Sequence, residues 1–115
     1  MKILIAVLTA AGMLTLFLML FATPANAALD DAKAQELLKK GACAACHSVD
    51  KKILGPAYKE VAQKRKDEKD AVATLEKAVR NGSKSAYGQI PMPPNPQEKI
   101  SDADLHDLLE WVLTK

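Results

Sequence analysis

Aromatic residues are scarce in this 115-residue chain, which has one Trp, two Tyr and two Phe. Both phenylalanines, Phe17 and Phe21, lie in the apolar stretch at the N terminus, so the rest of the chain has three aromatic side chains. A small domain that lacks large apolar side chains often needs a prosthetic group or a crosslink to complete its core. The composition therefore indicates that something other than side chains fills part of the interior.

An excess of one sign of charge is also missing. The chain has 16 basic and 14 acidic side chains, for a net charge of +2. Lys2 is the one charged residue among the first 27, so the remainder has 15 basic against 14 acidic side chains, or +1. Nucleic-acid-binding domains are usually strongly basic. This balance argues against nucleic acid as a partner.

Long apolar runs are absent except near the N terminus. There the sequence is apolar from Ile3 to Phe21 with few interruptions, and Pro24 and the triplet Ala25-Asn26-Ala27 follow. A short apolar run before an A-x-A triplet is typical of a secretory signal peptide. We expect residues 1–27 to be the signal peptide and residues 28–115 to be one exported, periplasmic domain. The alternative is an uncleaved anchor in the inner membrane, because the run approaches the ~20 residues that span a bilayer.

The part after the signal peptide has helical patterns and no convincing alternation of apolar and polar residues. The first helical pattern begins at Asp30, has Lys39 and Lys40 in its last turn and stops before Gly41, which are typical helix-end signals. Pro56 suits the first turn of the second helix. The apolar residues of the four patterns are Leu29, Ala32, Leu37 and Leu38; Tyr58, Val61 and Ala62; Val72, Leu75 and Val79; and Leu105, Leu108, Leu109 and Val112.

The last helix has its own start signal, since Ser101 and Asp104 form a pair that resembles a capping box. The predicted fold is all-α, with about four short helices.

The segment from Ser83 to Lys99 cannot be a helix. It contains Pro91, Pro93, Pro94 and Pro96, which prevent helix continuation and favour extended conformations in the residues before them. Loops of this length in a small domain are usually functional or disordered. The loop contains Met92, the one methionine outside the first 27 residues.

The only two cysteines, Cys43 and Cys46, belong to the stretch "CAACH", which ends at His47. A thioredoxin-like redox pair expects a βαβ pattern, which this sequence lacks. A structural zinc site needs four N or S ligands, and the other histidine, His106, does not complete one. A disulfide here would close a very small loop and stabilise little. Cys-x-x-Cys-His is the attachment signature of c-type haem, so covalent haem is the favoured interpretation.

In that interpretation the two thiols bond to the vinyl groups of the porphyrin, and His47 binds the iron. The iron then needs a sixth ligand on the opposite face. By elimination this ligand is Met92, because the alternatives are a lysine or His106, which lies on the polar side of the last helix. The remaining alternatives are that Met92 only packs its loop and that His106 is a surface residue.

The chain resembles the small bacterial class I cytochromes c. The resemblance covers essentially all of residues 28–115 and rests on the "CAACH" site, "ILGPAYKEVA", "VRNGS", "GQIPMPPN" and the helix that contains Trp111. It implies the cytochrome c fold around one haem, covalently bound to Cys43 and Cys46. It also implies His47 and Met92 as axial iron ligands.

The resemblance further implies roles for three neighbours of these ligands. The Pro56 carbonyl would accept a hydrogen bond from the His47 ring, and Asn95 would donate one toward the Met92 sulfur. Tyr87 stands where relatives commonly have Trp, and its hydroxyl would bond a haem propionate. The resemblance also implies that the N-terminal and C-terminal helices pack together, with the Leu37-Leu38 region against Leu108, Trp111 and Val112.

An iron with both axial positions filled has no open site for a substrate. The expected function is therefore that of a soluble monohaem electron carrier, not an enzyme. The resemblance implies electron transfer between respiratory complexes or to a periplasmic reductase, peroxidase or terminal oxidase. The expected partners are such redox proteins, and the chain itself is expected to be monomeric. The alternatives are an enzyme or gas sensor with a labile axial ligand, and an anchored haem subunit of a larger complex.

Overall fold

The computed structural model describes residues 28–115, and the predicted signal peptide lies outside them. Residues 28–115 form four α-helices without a β-strand, apart from two isolated bridges. The all-α prediction is confirmed. The helices are α1 (Asp31–Lys40), α2 (Tyr58–Arg65), α3 (Ala71–Asn81) and α4 (Asp102–Leu113), and a 3-10 turn spans Cys43–Ala45.

The ends of α1 follow directly from its sequence. The carboxylate of Asp30 accepts a hydrogen bond from the Lys33 backbone N–H at 2.7 Å. Such a cap satisfies one of the free N–H groups of the first turn. At the other end, the N–H of Gly41 donates to the Leu37 carbonyl at 2.9 Å. Both predicted boundaries of α1 are confirmed.

Two other predicted helix ends differ in detail. Ser101 caps α4 by accepting a hydrogen bond from the Asp104 N–H at 3.1 Å, but the Asp104 carboxylate lies 3.5 Å from Lys40 Nζ on α1. The prediction that Pro56 lies in the first turn of the second helix is wrong. Ala57 is the N-cap of α2, so Pro56 precedes the helix.

The core lies where α4 packs against the other three helices. Leu37 on α1 and Ile100, just before α4, are each 1% exposed. The expected contact between the N-terminal and C-terminal helices is present, because their apolar residues belong to one buried cluster. The members of this cluster are Ala34, Leu37, Leu38, Tyr58, Val61, Leu75, Ile100, Leu105, Leu108, Leu109, Trp111 and Val112.

Trp111 also joins the two helices by a polar contact. Its indole Nε1 donates to Asp31 Oδ1 at 2.7 Å, and Lys115 Nζ lies 3.3 Å from the same oxygen. The Lys115 ammonium stands 4.0 Å from the centre of the indole ring. The first turn of α1 is thereby attached to the end of α4.

Within residues 28–115, no helix combines the length and the apolar character needed to cross a membrane.

The Asp31 contact predicts a pH-dependent contribution to stability. The hydrogen bond from the Trp111 indole, followed by Lys115, holds the pKa of Asp31 below its ordinary value of 3.8. A depressed pKa means that this contribution is present above pH 3.8 and is lost as the pH falls through the folded-state value. We expect Asp31→Asn to be less stable than wild type at neutral pH and equal to it in strong acid, as measured by urea unfolding of the haem-containing protein.

Glu98→Gln is the matched control, because Glu98 is exposed and has no ion-pair partner among the described residues. A stability difference between Asp31→Asn and wild type that does not change with pH would contradict this account.

Candidate functional site

Cys43, Cys46 and His47 lie in one tight turn after α1. The N–H groups of Cys46 and His47 both donate to the Cys43 carbonyl, at 3.1 and 3.0 Å. The chain then returns, and the Gly55 N–H donates to the Cys46 carbonyl at 2.7 Å. Neither cysteine forms a disulfide within residues 28–115, and burial raises the pKa of the Cys43 thiol. These contacts hold two sulfur atoms and one imidazole next to each other.

The ring of His47 is fixed in orientation. Its Nδ1 lies 2.8 Å from the Pro56 carbonyl oxygen. A carbonyl oxygen only accepts hydrogen bonds, so Nδ1 bears the hydrogen and, in the neutral ring, Nε2 has the free lone pair. The ring also stacks on Tyr58, with the ring centres 5.4 Å apart and the planes 19° apart. The imidazole is therefore prepared to bind a metal through Nε2.

The backbone of Met92 is held against the end of α3. Met92 and Ser83 exchange two backbone hydrogen bonds, of 2.8 and 3.0 Å. Gly82 permits this close approach, because it has φ +79° and a Cβ there would lie 2.8 Å from the Met92 carbonyl oxygen. Glycine adopts such a positive φ without strain. The loop, whose composition is also compatible with disorder, thus has a defined attachment at Met92.

Asn95 ties this loop to two helices. Its backbone N–H donates to the Val79 carbonyl at 2.8 Å, and its side-chain Nδ2 donates to the Gly41 carbonyl at 2.7 Å. Asn95 is 9% exposed, and its Oδ1 is buried without a hydrogen-bond partner within residues 28–115. A side-chain amide has two N–H hydrogens, so one remains available in addition to the bond with Gly41.

Tyr87 lies in a positively charged corner. Arg65 Nε donates to the Tyr87 hydroxyl at 3.3 Å, and Lys64 Nζ stands 4.4 Å from the centre of the ring. Lys52 Nζ donates to the Tyr87 carbonyl at 3.0 Å. One acid balances this charge: Glu68 pairs with Arg65 at 2.6 Å, and the hydrogen bond from Arg65 holds the pKa of Glu68 below its ordinary value.

All seven predicted site residues line one cavity of about 350 Å³. Its other walls are mainly aliphatic side chains from the four helices, such as Leu38, Val61, Leu75 and Leu105. An apolar cavity with a few converging polar groups is the usual form of a cofactor site. The seven residues are Cys43, Cys46, His47, Pro56, Tyr87, Met92 and Asn95.

His106, the alternative ligand, belongs to a different surface. It is not among the residues that line the cavity, and its Nδ1 lies 2.8 Å from Glu76 Oε1 on α3. This hydrogen bond raises the pKa of His106.

The donor set of the cavity fits a covalently attached haem. Two thiols and an imidazole come from one turn, and a thioether comes from the loop after α3. The aliphatic walls suit the porphyrin ring, and the cations around Tyr87 suit its carboxylates. The family comparison agrees: the sequence model of the family described as cytochrome c matches residues 32–115.

The chain belongs to the cytochrome c family. It is 47% identical over 79 residues to cytochrome c-552 of Nitrosomonas europaea, a match that covers 69% of this chain and 75% of that one. It is 46% identical over 80 residues to cytochrome c-551 of Pseudomonas denitrificans, covering 70% and 94% of the two chains.

Solved structures give the same result for the fold. The crystal structure of wild-type cytochrome c552 from Nitrosomonas europaea matches with a TM-score of 0.65 and 46% identity, over 70% of this chain and 96% of that one. The class 1 cytochrome MtoD from Sideroxydans lithotrophicus matches with a TM-score of 0.63 and 32% identity, over 76% and 97%. The chain is thus a small class I cytochrome c with one covalently attached haem c. It is an electron carrier and not an enzyme.

Two residues of the site, Gly55 and Arg65, are not among those predicted from the sequence. A Cβ on Gly55 would lie 2.5 Å from His47 Cε1, so only glycine allows the ring this position. The signal was available, since a glycine directly before the proline that accepts from His47 suggests a close approach of the backbone. For Arg65, the sequence has no feature that indicates a role in the site beyond its place at the end of α2.

The packing of Gly55 generates a direct prediction. Gly55→Ala would put a methyl group against a ring that is already held by Pro56 and Tyr58, so the ring must move. We expect a loss of stability of about 3 kcal/mol, the upper end of the usual cost of overpacking. Thermal unfolding of the haem-containing protein measures it. The control is Lys51→Ala, because Lys51 is exposed and does not line the cavity. Equal unfolding midpoints for Gly55→Ala and wild type would show that the ring is not confined in this way.

Proposed function

We propose that this cytochrome c transfers single electrons with His47 and Met92 as the two axial ligands of its haem iron. The observation that carries the proposal is that both side chains line the cavity that also contains the thiols of Cys43 and Cys46. The haem supplies the one-electron couple when it is bound. The residues of the chain hold it, fill both axial positions and exclude water.

The hydrogen bond between His47 and Pro56 supports His47 as the first ligand. A histidine that binds a metal almost always donates its other ring N–H to an oxygen acceptor, which fixes the tautomer and raises the basicity of the ligand. In this chain, Nδ1 donates to Pro56 and Nε2 is the atom that would bind iron.

Three other ligands compete with Met92. His106 is paired with Glu76 and does not line the cavity. Lys52 and Lys99 do line it. A lysine amine has an ordinary pKa near 10.4 and must lose a proton before it binds iron, whereas a thioether has none to lose. At neutral pH this difference favours Met92.

We further propose that Asn95 donates a hydrogen bond to the Met92 sulfur and that Tyr87 donates one to a haem propionate. The second amide hydrogen of Asn95 is available to the Met92 sulfur, and such contacts tune a metal centre. The Tyr87 hydroxyl, with the Arg65 guanidinium beside it, is suited to a haem propionate because a cation strengthens a hydrogen bond to a carboxylate.

A carrier with both axial positions filled changes oxidation state without making or breaking a bond to iron. Met and His ligation together raises the reduction potential of the couple. As an electron carrier, the protein exchanges electrons with redox proteins. We propose that it receives them from a respiratory complex and passes them to a periplasmic reductase, peroxidase or terminal oxidase.

Replacement of the proposed sixth ligand tests the function directly. Met92→Ala should open one axial position, so the reduced protein should bind carbon monoxide at neutral pH while wild type does not. The potential should fall by at least about 0.1 V, since axial ligands set haem potentials over a range of about 0.8 V. Optical titration and potentiometry measure both effects.

Glu98→Ala is the control, because Glu98 is in the same loop, is exposed and does not line the cavity. Ready binding of carbon monoxide by wild type would favour the sensor class. Met92→Ala protein that keeps the wild-type spectrum would exclude Met92 as the ligand.

We also propose that the carrier acts in the periplasm as a monomer after cleavage between Ala27 and Ala28. The support is the apolar run and the triplet Ala25-Asn26-Ala27, which are typical of exported proteins. All seven proposed site residues come from one chain, so the site needs no second copy to complete it.

Cleavage requires small residues in the triplet, so Ala27→Leu should leave the signal peptide attached and retain the protein in the membrane fraction. The wild-type protein should begin at Ala28, be released with the periplasm and have the native mass of one copy. Intact mass, N-terminal sequencing and light scattering measure this. Ala6→Leu, which changes the apolar run instead, should be processed normally. A wild-type protein that keeps Met1 would indicate the anchored form.

A further inference from the structure

Arg80, at the end of α3, bonds three parts of the chain at once. Its Nη1 donates to the Asn95 carbonyl at 3.1 Å, and its Nη2 donates to the Ile100 carbonyl at 2.8 Å. Its Nε and Nη2 both reach Asp102 Oδ1, at 3.2 and 2.8 Å. The Arg80 side chain is only 20% exposed. The Arg80 side chain is therefore more enclosed than that of an ordinary surface ion pair.

The segment that receives these bonds has few of its own. It connects Met92 to α4, it contains Pro93, Pro94 and Pro96, and proline has no N–H to donate. Asn95 and Ile100, the two residues whose carbonyls accept from Arg80, are themselves buried. A buried carbonyl that loses its donor costs free energy. The guanidinium therefore supplies donors to backbone carbonyl groups of this segment, whereas in a helix or a sheet backbone N–H groups would supply them.

Asn95 connects Arg80 to Met92. Its backbone N–H bonds Val79, the residue before Arg80, and its side chain bonds Gly41 at the end of α1. Met92, three residues earlier, is fixed by its two bonds to Ser83. The Met92 segment is thus held at one end by Ser83 and at the other by Asn95, and Arg80 secures the second attachment.

We propose that Arg80 is a positioning residue that keeps Met92 in place for iron binding by holding Asn95. This inference depends on Met92 being the sixth ligand, as proposed above. Arg80 does not touch the iron; it lowers the population of states in which the loop has moved away. The planar guanidinium is needed for its geometry as well as its charge, because a lysine ammonium cannot present a rigid fork to three separate acceptors.

Competition with imidazole tests this role in the haem-containing ferric protein. Imidazole binds iron only when Met92 has left, so its apparent affinity rises with the fraction of molecules in which the loop is displaced. The readout is loss of the sulfur-to-iron charge-transfer absorption. We expect Arg80→Gln to bind imidazole at least about tenfold more tightly than wild type, as the loss of charged hydrogen bonds implies. Arg80→Lys should resemble Arg80→Gln more than wild type.

Three further variants separate the possible causes. Lys77→Gln removes the same charge from an exposed site on α3 and should match wild type. Asp102→Asn removes the carboxylate charge that pairs with the guanidinium and that also accepts a hydrogen bond from Gln97. It should shift imidazole binding in the same direction by less, even if Arg80→Gln does not fold. Asp31→Asn weakens the contact between α1 and α4 at Trp111, so it reports how far general destabilisation alone affects imidazole binding.

The outcomes distinguish this inference from the proposed function. A wild-type protein without the sulfur-to-iron absorption would refute the ligation by Met92, and the role of Arg80 with it. A wild-type protein that has the absorption, together with an Arg80→Gln variant of unchanged imidazole affinity, would refute only the role of Arg80. An equal gain of affinity in Asp31→Asn, at equal urea stability, would also refute it.

Discussion

The hydrogen bond from His47 Nδ1 to the Pro56 carbonyl is the contact on which the rest of the site depends. It sets the tautomer of the ring, and it leaves Nε2 as the free nitrogen. It also requires the backbone at Gly55 to pass so close to the ring that a side chain there would collide with it. The tight turn from Cys43 to His47 then fixes the thiols relative to this nitrogen. The imidazole of His47, the backbone at Gly55 and the two thiols thus have fixed positions relative to one another.

The opposite side of the cavity is built differently. Met92 comes from a segment without regular structure. Its position relies on two backbone hydrogen bonds to Ser83 and on the contacts of Asn95 with Val79, Arg80 and Gly41. These contacts are spread over several residues of an irregular segment, whereas the ring of His47 is held directly by Pro56 and Tyr58. Ligand loss should therefore begin on the Met92 side.

Local features of this protein could be predicted from its sequence. The limits of α1 follow from Asp30, Lys40 and Gly41, because capping and charge act within one turn of the chain. The seven candidate site residues were found because the attachment motif is local and because the resemblance supplied Pro56, Tyr87 and Asn95. Their assembly around one cavity agrees with that prediction, while their roles as ligands and donors stay predictions.

Contacts between distant segments could not be predicted in the same way. Trp111 bonds Asp31 across 80 positions, and Arg80 bonds Ile100 across 20. Nothing in the residues themselves fixes which partner they meet, since that depends on how the helices pack. Pro56 shows the same limit on a small scale. It was expected inside the first turn of α2, but the need to place its carbonyl against His47 keeps it before the helix.

X-ray absorption at the iron edge of the purified protein tests the central claim most directly. Ligation by His47 and Met92 predicts six ligands in both oxidation states, five nitrogen atoms and one sulfur atom, with little change in distance on reduction. An iron without a sulfur neighbour, or one that loses a ligand when it is reduced, would contradict the account of this protein as a carrier with two fixed axial ligands.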